Sequence, residues 1–231
     1  TFSTMLAWAG ATVTSGIGPY STDILVDPGT GKPLYDIFVL SEPYVVNELM
    51  LPPSVLVHYV QQNGTVLFTG DSPIICKNYS DWTRQWGISW NNTAVGGLST
   101  NIASHAVTNG ITEIFFGSPV TSLILRPSVT PSPECVVWDP VFPGVAVWEA
   151  EAPSTGKVVI LSDDGILADQ SLPVADNLAL GFNIIKWLTN PPDMFAVETA
   201  LIPPVESSHP YSQNADVLIP VIAPMGVDWI S

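Results

Sequence analysis

Cations are the scarcest residues of this chain: six Lys and Arg stand against 21 Asp and Glu in 231 residues. Displacing counterions from a phosphate backbone takes clustered Lys and Arg, so nucleic-acid binding is excluded as a function class. Attraction to anionic membrane surfaces is disfavoured for the same reason. The net charge of −15 therefore comes from missing cations more than from abundant acids. No run of 18 uninterrupted apolar residues occurs, so membrane insertion is not expected. Histidine is limited to His58, His105 and His209, with no His-x-x-x-His pair of the kind that binds zinc. The only cysteines, Cys76 and Cys135, allow either two buried thiols or one disulfide. A disulfide would close a loop of about 60 residues, stabilise by roughly 4 kcal/mol through loop entropy, and require an oxidising compartment.

What is present is a chain with 46% apolar and 12% charged residues, long enough to bury a full core. Three Asn-X-Ser/Thr sequons, at Asn63, Asn78 and Asn91, fall in predicted turns or loops, where a glycan has room. The chain opens at Thr1 without a basic stretch followed by an apolar one, which reads as a leader already removed or a piece of a longer protein. Few cations, a cysteine pair and exposed sequons together predict an acidic, disulfide-bonded glycoprotein outside the cell or on its surface.

Along the chain, Phe2–Val13 is ambiguous between helix and strand. A Gly- and Pro-rich loop follows, and then Tyr35-Asp36-Ile37-Phe38-Val39-Leu40, an apolar run typical of a strand buried on both faces. Pro52 and Pro53 open a helix carrying Val55, Leu56, Tyr59 and Val60 at helical spacing. Asn63-Gly64 ends that helix, with Gly64 suited to the left-handed position, before a second strand at Thr65–Thr69. Strand, helix, strand makes a βαβ unit with parallel strands. Trp82, Trp86 and Trp90 stand four apart, as on one helix face: a core stripe, or an exposed platform for sugars. Short strands are expected at Ile111–Phe116, Ser122–Leu125, Cys135–Trp138 and Val145–Trp148, as an antiparallel excursion. Gly156–Leu161 is a further buried strand, and Asp176 caps a final helix ended by Pro191 and Pro192. Residues 1–202 form the expected α/β domain; residues 203–231 read as a linker and strand-like tail.

Three segments, in this order, resemble non-catalytic class I glutamine amidotransferase-like domains. They are Tyr35–Leu40 with Asn63–Ser72, then Ser104-His105-Ala106-Val107-Thr108-Asn109-Gly110-Ile111, then Gly156–Asp164 with Asp176-Asn177 and Trp187-Leu188. Such domains occur in an intraflagellar transport subunit, in gliding-motility proteins and beside subtilisin-like proteases. The likeness covers roughly residues 35–190. It implies an α/β, flavodoxin-like three-layer sandwich with a mostly parallel central sheet, plus the antiparallel excursion. In the tail, Glu206-Ser207-Ser208-His209-Pro210-Tyr211-Ser212-Gln213-Asn214 is similar to the opening of a CUB-like β module.

Active members of the class place a Cys after the strand that here is Val66–Thr69, because a thiol ionises near neutrality beside a His. This chain has Gly70-Asp71-Ser72 there, and Cys76 falls four to six residues too late. The family's His-x-Glu pair is replaced by Ser162-Asp163-Asp164, and an ordinary carboxylate is no base for such a dyad. Catalysis by the family's chemistry is therefore not expected. Binding candidates are Asp71, Ser72, His105, Asp163 and Asp164, at the sheet edge where open α/β sheets take ligands. No cofactor is expected, although Asp71, Asp163 and Asp164 have the hard oxygens that suit Ca²⁺; the bland alternative is that Asp71 and Asp164 cap the helices or turns that follow them. The rival is a hydrolase on glycans or peptides using Asp71, Asp163 or Ser72; a set of Ser72 with His105 or His58 and Asp163 or Asp164 is weakened because Pro73 removes an amide N–H useful for an oxyanion hole. The leading expectation is a non-catalytic binding or assembly domain with protein partners, self-association into filaments included. A carbohydrate-binding module is the third reading.

Overall fold

Two runs of apolar residues and the prolines between them set up the first half of the sheet. In the computed structural model, which describes residues 6, 12–13, 20–41, 51–70, 76, 80–139 and 142–189, a short helix α1 (Thr22–Leu25) precedes strand β1 (Phe38–Ser41). Helix α2 (Pro53–Gln61) has Pro at its first position, where the missing N–H costs nothing, and buries Val55, Leu56, Tyr59 and Val60. Its end is a Schellman motif: Gly64 N–H donates to Tyr59 O (2.9 Å) and Asn63 N–H to Val60 O (3.0 Å). The left-handed residue is Asn63 (φ 71°), not Gly64. Asn tolerates that region, and Gly64 is needed for another reason, since a Cβ there would come within 2.5 Å of the Tyr59 ring. Strand β2 (Thr65–Thr69) follows, parallel to β1 as the βαβ reading requires.

The remaining strands are β3 (Ile88–Ser99), β4 (Asn101–Ile102), β5 (Ile114–Leu125), β6 (Glu134–Asp139), β7 (Phe142–Glu149) and β8 (Lys157–Leu161), and helix α3 (Asn177–Thr189) comes last. One six-stranded sheet runs β1-β2-β8-β7-β6-β4, and β3 and β5 form a separate two-stranded ribbon. Alternation along β2 and β8 divides the core in two. Leu67, Val159 and Leu161 face α3 through Leu180, Ile184 and Leu188, while Val66, Phe68, Val158 and Ile160 face α2 and the tryptophans. The ribbon contributes to both clusters, with Phe116 beside Val145 in the first and Trp90 and Leu123 in the second.

This architecture corrects the flavodoxin-like expectation. Only the β1–β2 and β2–β8 ladders are parallel; β8–β7, β7–β6 and β6–β4 are antiparallel. Helices α1, α2 and α3 have 4, 9 and 13 residues, against two ribbon strands of 12 residues each. The chain is a β-rich mixed-sheet fold, because the segment between β2 and β8, where only a short excursion was expected, supplies half the main sheet and the whole second one. The expected helix through Trp82, Trp86 and Trp90 forms only in part, since residues 80–83, with Trp82, are helical. A 3-10 turn (Arg84–Trp86) ends at Gly87 with φ 73°, a left-handed angle that favours glycine, and Trp90 already lies in β3. All three rings are buried, at 2%, 3% and 6% exposure, which removes them as a sugar platform. The Phe2–Val13 segment, apart from buried Leu6, exposed Thr12 and half-buried Val13, and the tail from 190 onward lie outside the described residues. Among those described, no helix is long and apolar enough to cross a membrane.

Candidate functional site

The parallel strands β1, β2 and β8 end at Ser41, Thr69 and Leu161, and this C-terminal edge is where such sheets usually hold ligands. Asp71 and Ser72 lie outside the described residues. After β8 the chain turns through Ser162 and Asp163 into a 3-10 turn, Asp164–Leu167. Asp163, not Asp164, caps that turn: its Oδ1 accepts from Gly165 N–H at 2.7 Å. Its Oδ2 accepts from Gly117 N–H in β5 at 2.6 Å, and the side chain is 2% exposed. Asp164 sits half-buried, with its own amide donating to Gly70 O. The two oxygens of Asp163 thus hold amides from two different elements.

That second bond belongs to a row. β5 pairs with β3 through Ser99↔Ile114, Leu98↔Phe115 and Gly97↔Phe116, and amides at alternate positions face away from β3. Glu113 N–H donates to Asp176 Oδ2 at 3.2 Å, and Phe115 N–H to Asn177 Oδ1 at 2.9 Å. Gly117 N–H completes the row at Asp163. Asn177 Nδ2 also donates back to Phe115 O at 2.9 Å, so one buried side-chain amide copies the two bonds of a neighbouring strand. Asp176 further accepts from Thr112 N–H (2.7 Å) and Thr112 Oγ1 (2.9 Å). An edge strand's unpaired amides are open to other chains and costly if buried. Here three side chains from the loop after β8 and the head of α3 fasten the ribbon to the main sheet.

Asp176 stands where a helix cap was expected, but its carboxylate turns to Thr112 and Glu113. The bond from Thr112 N–H, joined by those from the Thr112 hydroxyl and Glu113 N–H, holds its carboxyl below the ordinary carboxylate range against an opposing desolvation. A carboxylate whose folded pKa is depressed stabilises fully above its unfolded pKa of about 4, and that contribution is lost as pH falls through the folded value. Asp176→Asn is therefore expected to flatten the fall in stability below about pH 4. Denaturation midpoints measured from pH 7 down to pH 2 check this, and an unchanged acid limb contradicts it.

His105 is at the other end of the molecule's central strand. Its Nδ1 accepts from Val107 N–H (3.1 Å) while its own N–H donates to Thr108 Oγ1 (3.0 Å), a reciprocal cap on the turn Ala106–Thr108. Its ring meets the Trp187 ring edge-on at 5.3 Å. Lys157 lies 4.9 Å over the same indole, donates from Nζ to Trp187 O (2.9 Å) and stands 3.6 Å from Glu149. Desolvation, with Lys157 adding to it, lowers the His105 pKa; Glu134 and Glu149 oppose the shift. The neutral ring is the form that can accept from Val107. Lys157 opens β8 and Asp163 follows its close, a separation of about 20 Å at strand rise. The expected pairing of His105 with Asp163 or Asp164 is thus not brought together. His58 is half-buried on α2.

The remaining expectations divide. Cys76 and Cys135 are not joined: Cys76 is buried in the core on the α2 face, and Cys135 Sγ lies 3.2 Å from Val137 O with burial pushing its thiol up to about 12. Among the described residues no group of three or more His, Cys, Asp or Glu side chains converges as a metal site. Asn63 is exposed, Asn91 is half-buried in β3, and Asn78 lies outside the described residues. Ser41 and Thr69, paired across β1 and β2, and Ser162 after β8 carry buried hydroxyls with no hydrogen-bond partner among the described residues. Sequence reasoning missed Gly117, Asn177 and Lys157. The local signals were a lysine inside an apolar strand (Lys157-Val158-Val159-Ile160-Leu161) and Asp176-Asn177 at the head of the last helix, neither of which announces its partners.

No protein-family model and no curated protein matches this chain. Solved structures do. The mmIFT52 N-terminal domain superposes with a TM-score of 0.57 at 17% identity, covering 69% of this chain and 79% of that one. A cytoplasmic protein from Salmonella typhimurium LT2 follows at 0.48, 14% identity, 67% of this chain and 72% of that chain. A cold-adapted β-galactosidase from Rahnella sp. R3 gives 0.44 at 13% identity, and its match takes in 68% of this chain but 22% of that one. The first shows a distant relationship of fold; the other two add no argument.

Proposed function

We propose that this chain is a non-catalytic binding or assembly domain of a larger modular or self-associating protein, acting outside the cell or on its surface. In this reading it is a remote, β-rich relative of the class I glutamine amidotransferase-like domains. The observation that carries the proposal is the use of Asp163: the carboxylate nearest the place where amide chemistry would need a base is taken up by the amides of Gly117 and Gly165. The nearby hydroxyls of Ser41, Thr69 and Ser162 hydrogen-bond to no base among the described residues. Hydroxyls without a base can hold a ligand or line an interface; activating a nucleophile needs a proton acceptor within reach. The fold shared with the mmIFT52 N-terminal domain is compatible with this reading.

A screen of glutamine, ester, glycoside and peptide substrates tests it, with light scattering run alongside to measure mass. The reading expects no turnover above that of the heat-unfolded chain, and a mass that rises with concentration. Turnover abolished by Asp164→Asn, a half-buried carboxylate beside the edge, would establish a hydrolase instead.

A further inference from the structure

The three sequons are equivalent in sequence, and the structure separates two of them. Asn63 lies at the helix end, exposed and left-handed. Its Oδ1 accepts from Thr155 N–H (2.8 Å) and Ser154 Oγ (3.2 Å). A backbone N–H can only meet the oxygen of that amide, so the assignment of Oδ1 and Nδ2 is settled by the contact itself. The amide plane is therefore fixed, with Nδ2 on the side away from residues 154–155 and donating no bond among the described residues. Beside it opens a cleft of about 600 Å³, bordered by Thr30, Lys32, Tyr35, Gln62 and Thr155. Asn91 is the opposite case. It is half-buried within β3, paired with buried Ser122, its backbone oxygen takes the Thr121 hydroxyl, and its Nδ2 donates to Thr93 Oγ1 at 3.0 Å.

We propose that Asn63 is an N-glycan acceptor and that Asn91 is not. The inference rests on the extracellular reading above, since the donor is a polyprenyl-diphosphate-linked oligosaccharide met in a secretory compartment. In the transfer, Nδ2 attacks the anomeric carbon, the bond from that carbon to the diphosphate oxygen breaks, and polyprenyl diphosphate leaves. The nitrogen gives up one of its two protons to a base of the transferase. The product keeps Oδ1 and one N–H, so the bonds from Thr155 and Ser154 survive. The first sugars extend over the cleft, and the glycan covers the end of the sheet remote from Asp163. A glycan on Asn91 would instead have to grow from inside the ribbon, and a chain so modified could not complete the β3–β5 pairing.

The test uses the full chain with an added secretion leader in a eukaryotic host. Peptides are read by mass spectrometry in secreted and retained fractions, with enzymatic glycan release marking each formerly occupied Asn as Asp. The expected result is near-complete occupancy at Asn63 and none at Asn91 in secreted protein. Asn63→Asp, which keeps the Oδ1 acceptor, and Asn63→Gly, which fits the left-handed angle, should each lose one glycan's mass while still being secreted. An unmodified Asn63, or an occupied Asn91 in folded secreted protein, overturns the inference. The leader delivers the chain whatever its native compartment, so either result bears on this site alone. The extracellular reading is tested separately, by locating the native protein.

Discussion

Asp163→Ala is expected to destabilise the fold on the order of 4 kcal/mol. The side chain is buried and accepts from Gly117 and Gly165 amides at 2.6 and 2.7 Å. Hydrogen bonds to a charged group contribute about 1.5–3 kcal/mol each, and truncation leaves the donors with no acceptor. Asp163→Asn keeps one acceptor oxygen but turns an NH₂ toward the other donor, so it should cost about half as much. Urea denaturation of the two variants gives the comparison through midpoints at constant slope. A loss below about 1 kcal/mol for Asp163→Ala would mean the carboxylate supports neither turn nor ribbon.

The second large effect is expected at Asn177, which is fully buried and pairs with both the N–H and the C=O of Phe115. Asn177→Ala removes the acceptor and the donor together, leaving two backbone groups without partners, at about 2–3 kcal/mol. Asn177→Asp should be worse, although it is closer in shape. It retains the acceptor but sets a carboxylate oxygen against the Phe115 carbonyl, where two acceptors repel and the charge is out of water. The ordering Asp below Ala below Asn in stability is the signature of a side chain that imitates a strand. If Asp proved as stable as Asn, the donor half of the pairing would be absent.

Much of the first half of the fold was legible because its signals are local. Prolines at the start of α2, its spaced apolar positions and Asn63-Gly64 at its end lie within a dozen residues of one another, and β1 and β2 flank them. The ribbon was harder to read. Tryptophans spaced by four suggested a helix through Trp90; residues 80–83 are helical and tighten into the 3-10 turn, but Gly87 ends the helical run, and Ile88 and Trp90 then alternate inward as a strand does. The later part of β3, Asn91-Asn92-Thr93-Ala94-Val95-Gly96-Gly97, is polar and Gly-rich, so composition argued for a loop where long-range pairing with β5 makes a strand. Pairing partners outweigh strand propensity in such segments.

The site was legible in position and not in role. Asp163 was correctly placed beyond the end of β8, but its partner Gly117 lies 46 residues away in sequence, and nothing local announces that contact. His105 shows the same limit: proximity to Asp163 depended on a topology in which the two sit at opposite ends of β8. Asp176 was read as a cap because helix starts favour Asp, and the structure sends its carboxylate to Thr112 and Glu113, just before β5, instead.

The most direct test is amide hydrogen exchange at Glu113, Phe115 and Gly117, followed residue by residue by NMR in the unmodified chain and in Asp163→Asn. The account predicts slow exchange at all three in the unmodified chain, with Gly117 selectively accelerated by the substitution while Glu113 stays slow. Fast exchange at Gly117 in the unmodified chain would show Asp163 disengaged from the ribbon and available to a ligand or a reaction, contradicting the account.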